Sequence, residues 1–434
     1  MLLWEESYLA SREQSSSFRT AKRAQATVHY RIGWLLLGVF FLVVACQPQA
    51  APPLHKTEVP VLSSPIPFIS TPSPVSEAAL PSSPAPLREA APPSSPTPSL
   101  LSNSTPLPSL PAPVRDAPPP SSPPPLPQTT LFFTGVIVPA RCVQAAIDMR
   151  GDSDYLFDEV RDSLSQADLA VGTLNATISD YPPHTGCIPT YVLVGGAQNA
   201  DALAHAGFDL MSVATNHIKN CGLTNCGDRA FFDTLDNLRR VGILPIGAGK
   251  DLAEAMQPVV VEVNGVRFGF VSLGQLEPIA FASQDSPGIA VLNEENLHAA
   301  IAAARRVSDV VIAMPHWGPE EAPMPNWSQR QLARLAVEAG ADLVVGNHTH
   351  VVQALEEINR VMVFYGLGNF VFDQDWARDH QQGVILKVLF EGKRFISYEL
   401  IPTHVDGDGR VHIADAEEAS EVLARIAEVS RSLP

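Results

Sequence analysis

The residues best suited to chemistry in this chain stand where short apolar runs end. Val-Ala-Thr-Asn-His closes the run from Leu210 and presents Asn216 and His217. His316-Trp317-Gly318 follows the run from Val310, Gly346-Asn347-His348-Thr349-His350 follows that from Leu343, and Gly368-Asn369 follows that from Val361. One histidine after a strand is usually a satisfied structural residue; three such strand ends in one domain point to a shared site. Imidazole nitrogens and carboxamide oxygens are borderline ligands that suit zinc, iron or manganese. In open α/β sheets, ligands bind beyond the carboxyl ends of the strands. His348 and His350 can address one point only from a loop, because strand alternation would set them on one side but well separated.

The elements that must carry these residues read as an α/β pattern. Strands are expected at Leu131–Thr134, Leu169–Thr173, Leu210–Ala214, Val259–Val263, Arg267–Leu273, Val310–Met314, Leu343–Val345, Val361–Tyr365, Val384–Phe390 and Phe395–Ile401. Asn264-Gly265 between two of them is the signature of a type I′ hairpin. Helical periodicity covers Tyr155–Gln166, Ala197–Ala206, Asp228–Val241, Glu294–Val307 and Ser328–Ala339. The last opens on a Ser328/Gln331 capping box and stops at Gly340. Alternation early and hairpins late predict two layers of mixed sheet with helices outside.

Upstream of this domain the composition changes twice. Val43-Val44-Ala45-Cys46 closes an apolar run from Ile32, with Arg19, Lys22, Arg23 and Arg31 before it. The run is short for a span, which needs about 20 residues, and suits a signal-peptide core. Residues 1–46 thus read as a lipoprotein signal with Cys46 as the lipid-bearing residue, placing the rest outside the cytoplasm on a bacterial membrane. Residues 47–130 hold most of the chain's 40 prolines with Ser and Ala, too little apolar periodicity to offset ordering entropy. They form a tether whose reach, at ~3.1 Å per residue, is at most roughly 260 Å.

Leu131–Pro434 is long enough for one large core. It carries 21 Lys and Arg against 39 Asp and Glu, a formal charge of −18. That surface argues against nucleic acid and leaves room for an anionic substrate only in a locally positive pocket. Cys142, Cys187, Cys221 and Cys226 in an oxidising compartment suggest disulfides. Three pairings are open; Cys221–Cys226 closing a short loop and Cys142–Cys187 tying two distant ones are favoured, with a four-cysteine zinc site as the rival.

From about Leu131 to Asp373 the domain resembles the CapA family of poly-γ-glutamate capsule-synthesis proteins. The resemblance rests on His316-Trp317-Gly318-Pro319-Glu320, on Ala339 through His350, on Phe364-Tyr365-Gly366-Leu367-Gly368-Asn369-Phe370-Val371-Phe372-Asp373, and on Gly207-Phe208-Asp209 with Asn216-His217. It implies a four-layer α/β/β/α sandwich of the metallo-dependent phosphatase type with a metal site between sheet ends. Several positions depart from the family pattern. Val136 stands where the family has a ligating Asp, Asn175 where it has Glu, Thr215 where it has Asn, Asn220 where it has Asp, and Asn347 where it has the first His of its loop. A dinuclear site must offset four positive charges, and Val136 offers no donor atom, so the resemblance implies one divalent ion (Zn, Mn or Fe) rather than two. Its ligands would come from Asn216, His316, His348 and His350, with Asn175 as a neutral substitute; an inactive site would hold none. His217 would be the general acid and Glu320 a base or supporting partner.

The function this implies is a membrane-anchored extracytoplasmic protein of capsule, poly-γ-glutamate or related exopolymer synthesis or export, with a degenerate phosphoesterase-type site. Its partners would be the membrane, an anionic polymer or envelope assembly proteins. The alternatives are a non-catalytic polymer-binding or scaffold module and a secreted phosphoesterase.

Overall fold

The strand Gln128–Ile137 shows how the core divides. Phe132 faces one hydrophobic cluster while Leu131 and Phe133 face another, the period-two alternation of a strand buried on both faces. Phe268, Phe270, Val310, Ile312 and Met314 join the cluster of Leu131 and Phe133, whereas Val271, Leu273, Val311 and Ala313 turn to a third. The middle cluster therefore fills the space between two sheets. In the computed structural model, which describes residues 126–220 and 226–434, the outer clusters lie beneath helices. Val143, Ile147, Leu203 and Leu235 cover the first sheet, and Leu297, Ile301, Leu332 and Ala336 cover the second. The result is the expected four-layer α/β/β/α sandwich.

The first sheet runs Val411–Ile413, Arg394–Val405, Gln382–Glu391, Gln128–Ile137, Leu169–Leu174, Leu210–Ser212, Leu244–Ile246, with Asn369–Val371 beside Gln128–Ile137. The second runs Leu355–Ile358, Val361–Phe364, Leu343–Val345, Val310–His316, Val266–Gly274, Val259–Val263. Each has a parallel stretch, Gln128–Ile137 through Leu244–Ile246 in one and Val266–Gly274 through Val361–Phe364 in the other. The strand-end polar segments all leave the carboxyl ends of these parallel strands. Among the described residues no helix is long and apolar enough to cross a membrane.

All ten expected strands form, and Asn264 and Gly265 take φ of 50° and 77°, as a type I′ turn requires. The helix expected over Tyr155–Gln166 does not form as one element. It breaks into a 3-10 turn, Asp154–Leu156, and a helical turn, Arg161–Leu164. Tyr155, Leu156 and Phe157 are consecutive and all buried, which a single helical stripe cannot achieve. The capping box lies two residues earlier than expected: Asn326 accepts from the Gln329 backbone and Gln329 returns the bond. Helices Cys142–Arg150 and Ala416–Arg431 were not expected. Cys142 and Cys187 are bonded to each other. The other expected pairing involves Cys221, which, like Cys46 and residues 47–125 of the expected 47–130 tether, lies outside the described residues; Gln128–Thr130 belong to the first strand.

Candidate metal centre

His316 is the last residue of its strand and is fully buried. Its Nε2 lies 2.9 Å from Asn216 Oδ1 and 3.1 Å from His348 Nδ1. These three atoms arrive from three separate strand ends, and two of the sheets' parallel stretches contribute. Ligands held 2.0–2.1 Å from one tetrahedral ion stand about 3.3 Å apart, close to the spacing here. One proton between such atoms satisfies only a pair of them; a cation satisfies all three lone pairs. Burial drives both His316 and His348 well below the ordinary imidazole value, and the neighbouring imidazoles push the same way. Both rings are therefore neutral at pH 7, which is the form that ligates metal.

The loop that carries His348 and His350 pays for its shape in backbone strain. His348 has φ 109° and His350 φ 60°, conformations costing about 1–3 kcal/mol each in non-glycine residues. The two rings turn Nδ1 to different neighbours and Nε2 to the same carboxylate. His348 points Nδ1 at His316, while its Nε2 lies 3.9 Å from Glu320 Oε1. His350 Nε2 lies 4.0 Å from the same oxygen. Donor atoms of Glu320, His348 and His350 all lie within 4.8 Å of one another. His350 Nδ1 meets Asn369 Oδ1 at 2.8 Å, and Asn369 spends its amide hydrogens on Gln374 Oε1 and the His380 carbonyl. Asn369 Oδ1 is thus an acceptor, His350 Nδ1 carries the proton, and Nε2 is left with a lone pair. Burial holds His350 down to about 4, with Asn369 pulling the other way. Burial raises the Glu320 carboxyl above its ordinary value, although 40% of that side chain stays open to solvent, which weakens the push.

His217 sits on the first-sheet side. Its Nδ1 is 2.5 Å from Asn220 Oδ1, which also accepts the Leu193 backbone N–H. Burial pushes this imidazole down to about 4, against the bond to Asn220 and the charge of Glu320. Asn175 Oδ1 accepts the His217 backbone N–H at 3.1 Å, and its Nδ2 is buried without a partner. To ligate an ion, Asn175 would have to share that oxygen. Asn347 donates to Thr173 Oγ1 at 2.7 Å, stitching the two sheets beside the site. Val136 is fully buried, and its N–H bonds the Gly368 carbonyl at 2.9 Å. Gly135 beside it must be glycine: a Cβ there would stand 2.3 Å from that carbonyl oxygen.

Two further groups frame the site. Arg141, at φ 53°, grips the Asp373 carboxylate, donates to the Thr190 carbonyl at 3.1 Å and lies over Phe372, whose ring faces His350. The Cys142–Cys187 bond ties the neighbouring residue to the same loop, which reaches His217 through Tyr191. His380 is buried, and neither ring nitrogen has a hydrogen-bond partner; sequence reading passed over it. Only its place just beyond Phe372-Asp373 could have drawn attention to it.

The donors named above, His380 apart, fall within residues 130–374, the segment matched by the family model described as bacterial capsule synthesis protein PGA_cap. This chain belongs to that family. Two relatives are similar along much of their length. The PGA biosynthesis protein CapA of Bacillus subtilis is 29% identical over 58% of this chain and 66% of its own, just under two thirds. The capsule biosynthesis protein CapA of Bacillus anthracis is 27% identical over 68% and 72%. Among solved structures, a novel phosphatase of Mycoplasma pneumoniae is 14% identical at a TM-score of 0.40, covering 64% of this chain and 94% of that one. A putative 5′-nucleotidase of Staphylococcus aureus is 16% identical at 0.38, covering 70% and 58%.

Proposed function

We propose that this protein acts in the synthesis or export of capsular poly-γ-glutamate or a related exopolymer. In this reading it is held at the outer face of a bacterial membrane by a lipid on Cys46. Family membership and the names of its relatives support the polymer. The observation that carries the site is the meeting of Asn216 Oδ1, His316 Nε2 and His348 Nδ1. These donors fit one divalent ion of the zinc, manganese or iron type. Such an ion would polarise a phosphoryl or acyl oxygen and make bound water more acidic. The chain's own part is to aim and to protonate. Asn220 and the amide of Asn175 fix His217 in place. Neutral at pH 7, it would hand a proton to a leaving oxygen once an anionic group beside it restores its basicity. The acidic surface, −18 over the domain, suits contact with an anionic polymer only through the bound ion or through envelope partner proteins.

Val136 favours one rival, a module that binds or organises polymer without chemistry. Deleting the gene in its host, then complementing with wild type or His316→Ala, separates the two. Loss of surface polymer, restored by wild type alone, supports the metal-dependent reading. Restoration by both supports the module, and unchanged polymer after deletion removes the capsule role.

A further inference from the structure

A ladder of titratable groups stands apart from the metal centre, at the edge of the first sheet. His404 and His412 are direct cross-strand partners in the hairpin of Arg394–Val405 and Val411–Ile413. Their rings share one face, with centroids 6.4 Å apart. Three carboxylates alternate with them. His412 Nδ1 meets Glu159 Oε2 at 2.8 Å, and its Nε2 meets Asp406 Oδ2 at 2.6 Å. His404 Nδ1 meets Glu418 Oε1 at 3.1 Å, and its Nε2 lies 3.7 Å from Asp406 Oδ1. Glu159 stands between the turns Asp154–Leu156 and Arg161–Leu164, Asp406 begins the hairpin turn, and Glu418 is in the first turn of helix Ala416–Arg431. We propose that Glu159, His412, Asp406, His404 and Glu418 form a pH-sensitive brace that fastens this hairpin and helix to the outer layer of the first sheet and opens as pH rises.

His412 controls the brace. A neutral imidazole has one N–H and one lone pair, so it donates to one carboxylate and turns its lone pair on the other. Only the doubly protonated ring satisfies Glu159 and Asp406 together, through charge-assisted bonds that are about twice as strong as neutral ones. Burial pushes this ring down, but the hydrogen bonds and charges of Asp406 and Glu159 together push it further up, above the ordinary imidazole value. The same imidazole, helped by Arg410, holds the Glu159 carboxyl below its ordinary value, so acid opens this pair only far below neutral pH. Two further charges of the turn face the cluster: Arg410 Nη1 lies 3.7 Å from Glu159 Oε1, and Asp408 is bound by Arg150 at 2.7 Å. On the helix side, Arg378 Nε lies 3.9 Å from Glu418 Oε1. Folded, His412 keeps its proton to a higher pH than unfolded. Its support is therefore full below about 6.5 and is lost as pH rises through the folded value. That sign is opposite to that of the buried imidazoles at the metal centre.

Glu418 carries the brace inward. Its Oε1 also accepts from Gln382 Nε2 at 2.8 Å, and Arg425 of the same helix donates to Gln382 Oε1 at 2.7 Å. Gln382 opens the strand whose Gly383 pairs with Gly368, beside the Asn369 that holds His350. Other ties of the hairpin do not titrate near neutral pH. Tyr155 gives the Asp408 carbonyl a hydroxyl bond of 2.6 Å, and burial keeps that proton up to about 12. Apart from Glu159, the ladder lies beyond the family-matched residues 130–374.

The test is amide hydrogen exchange of the full chain at pH 6.0 and 8.5, read by mass spectrometry and corrected for the intrinsic pH dependence of exchange. In wild type, protection across residues 403–431 should fall at least about tenfold at the higher pH, while Val310–His316 keeps its protection. His412→Gln should be weakly protected at both pH values. His412→Arg, whose fixed charge can bridge two carboxylates, should be well protected at both. A wild-type hairpin whose protection does not fall, or a fall that persists in His412→Gln, overturns the proposal. So does a wild-type His412 that titrates by NMR at or below about 6.5. If His412→Arg fails to fold, Glu159→Gln takes its place, that side chain being 50% exposed. It should lower the His412 titration and reduce protection at pH 6.0; no change in either overturns the brace.

Discussion

The two sheets bring unequal donor sets to the same cleft. From the second sheet come His316 and the loop residues Glu320, His348 and His350, each with a nitrogen or carboxylate free to face a cation. From the first come Val136, which has no donor, Asn175, whose oxygen is already engaged, and Asn216 with His217. Val136, Asn175, Asn216, His316, His348 and His350 are all buried, so what separates the sides is which of them carry free donor atoms and charge. A fold can keep its strand-end geometry whatever donors those ends carry, so the chemistry is decided by the side chains and not by the sandwich.

The largest expected effect comes from removing the richer side. His348→Ala should weaken binding of the ion by 100-fold or more, whereas Asn175→Ala should cost about tenfold, as loss of a supporting partner usually does. Comparable losses in metal-binding titrations would mean the sides are not unequal. Next, Val136→Asp with Asn175→Glu restores two carboxylates to the poorer side. That variant should bind about one more equivalent of metal than wild type. Without metal it should unfold at lower temperature, because an unpaired buried charge is strongly destabilising. No gain in bound metal would show that the first-sheet end has moved away from the ion.

How far the sequence could have revealed this differs by element. Most strands were legible because they are short, nearly unbroken apolar runs buried on both faces, as Val310–His316 is; Val259–Val263 and Arg394–Val405 are the more exposed exceptions, legible from their β-branched and aromatic residues. Asn216, His316 and His348 were legible as polar residues ending such runs. What escaped was whatever depends on contacts distant in sequence. The Tyr155–Leu164 segment has enough apolar residues for a helix but buries consecutive ones. Helix Ala416–Arg431 carried a readable signal, Asp415 capping ahead of Glu418 with Val422 and Ile426 on its buried face. His380 carried none, since its burial depends on Asn369 and the strand beside it.

A third effect divides the sides by pH. His217 belongs to the first-sheet side and His350 to the second, and burial holds each down to about 4. Unfolded, both titrate near 6.5, so as pH falls the unfolded chain takes up protons first. The stability they support is whole above about 6.5 and is lost between there and about 4, by about 3 kcal/mol for each group. Denaturant unfolding of metal-free protein at pH 7 and 4.5 measures the loss. His217→Gln and His350→Gln should each flatten the profile; an unchanged slope in either refutes the assignment for that ring. Bound metal should steepen it, because protons compete for the ligands. An effect of similar size is confined to the first-sheet side: replacing Cys142 and Cys187 by alanine should cost about 2–4 kcal/mol. It should also raise the His217 titration, seen by NMR, as the loop of Thr190 and Tyr191 loosens.

The smallest effect tests whether the richer side depends on its helix. Trp327–Ala339 joins the strand ending in His316 to the one leading to His348, and its capping box holds the start of that connection. Asn326→Ala removes one cap acceptor and should cost about 1 kcal/mol, lowering the melting temperature by a few degrees. Metal affinity should not change, because Gln329 remains buried and bonded to Gln353 Oε1 at 2.8 Å, bracing the helix start against the loop after His350. If affinity falls along with stability, the donor geometry of the second sheet relies on the helix cap. The contrast between the sheets would then reflect rigidity as well as charge.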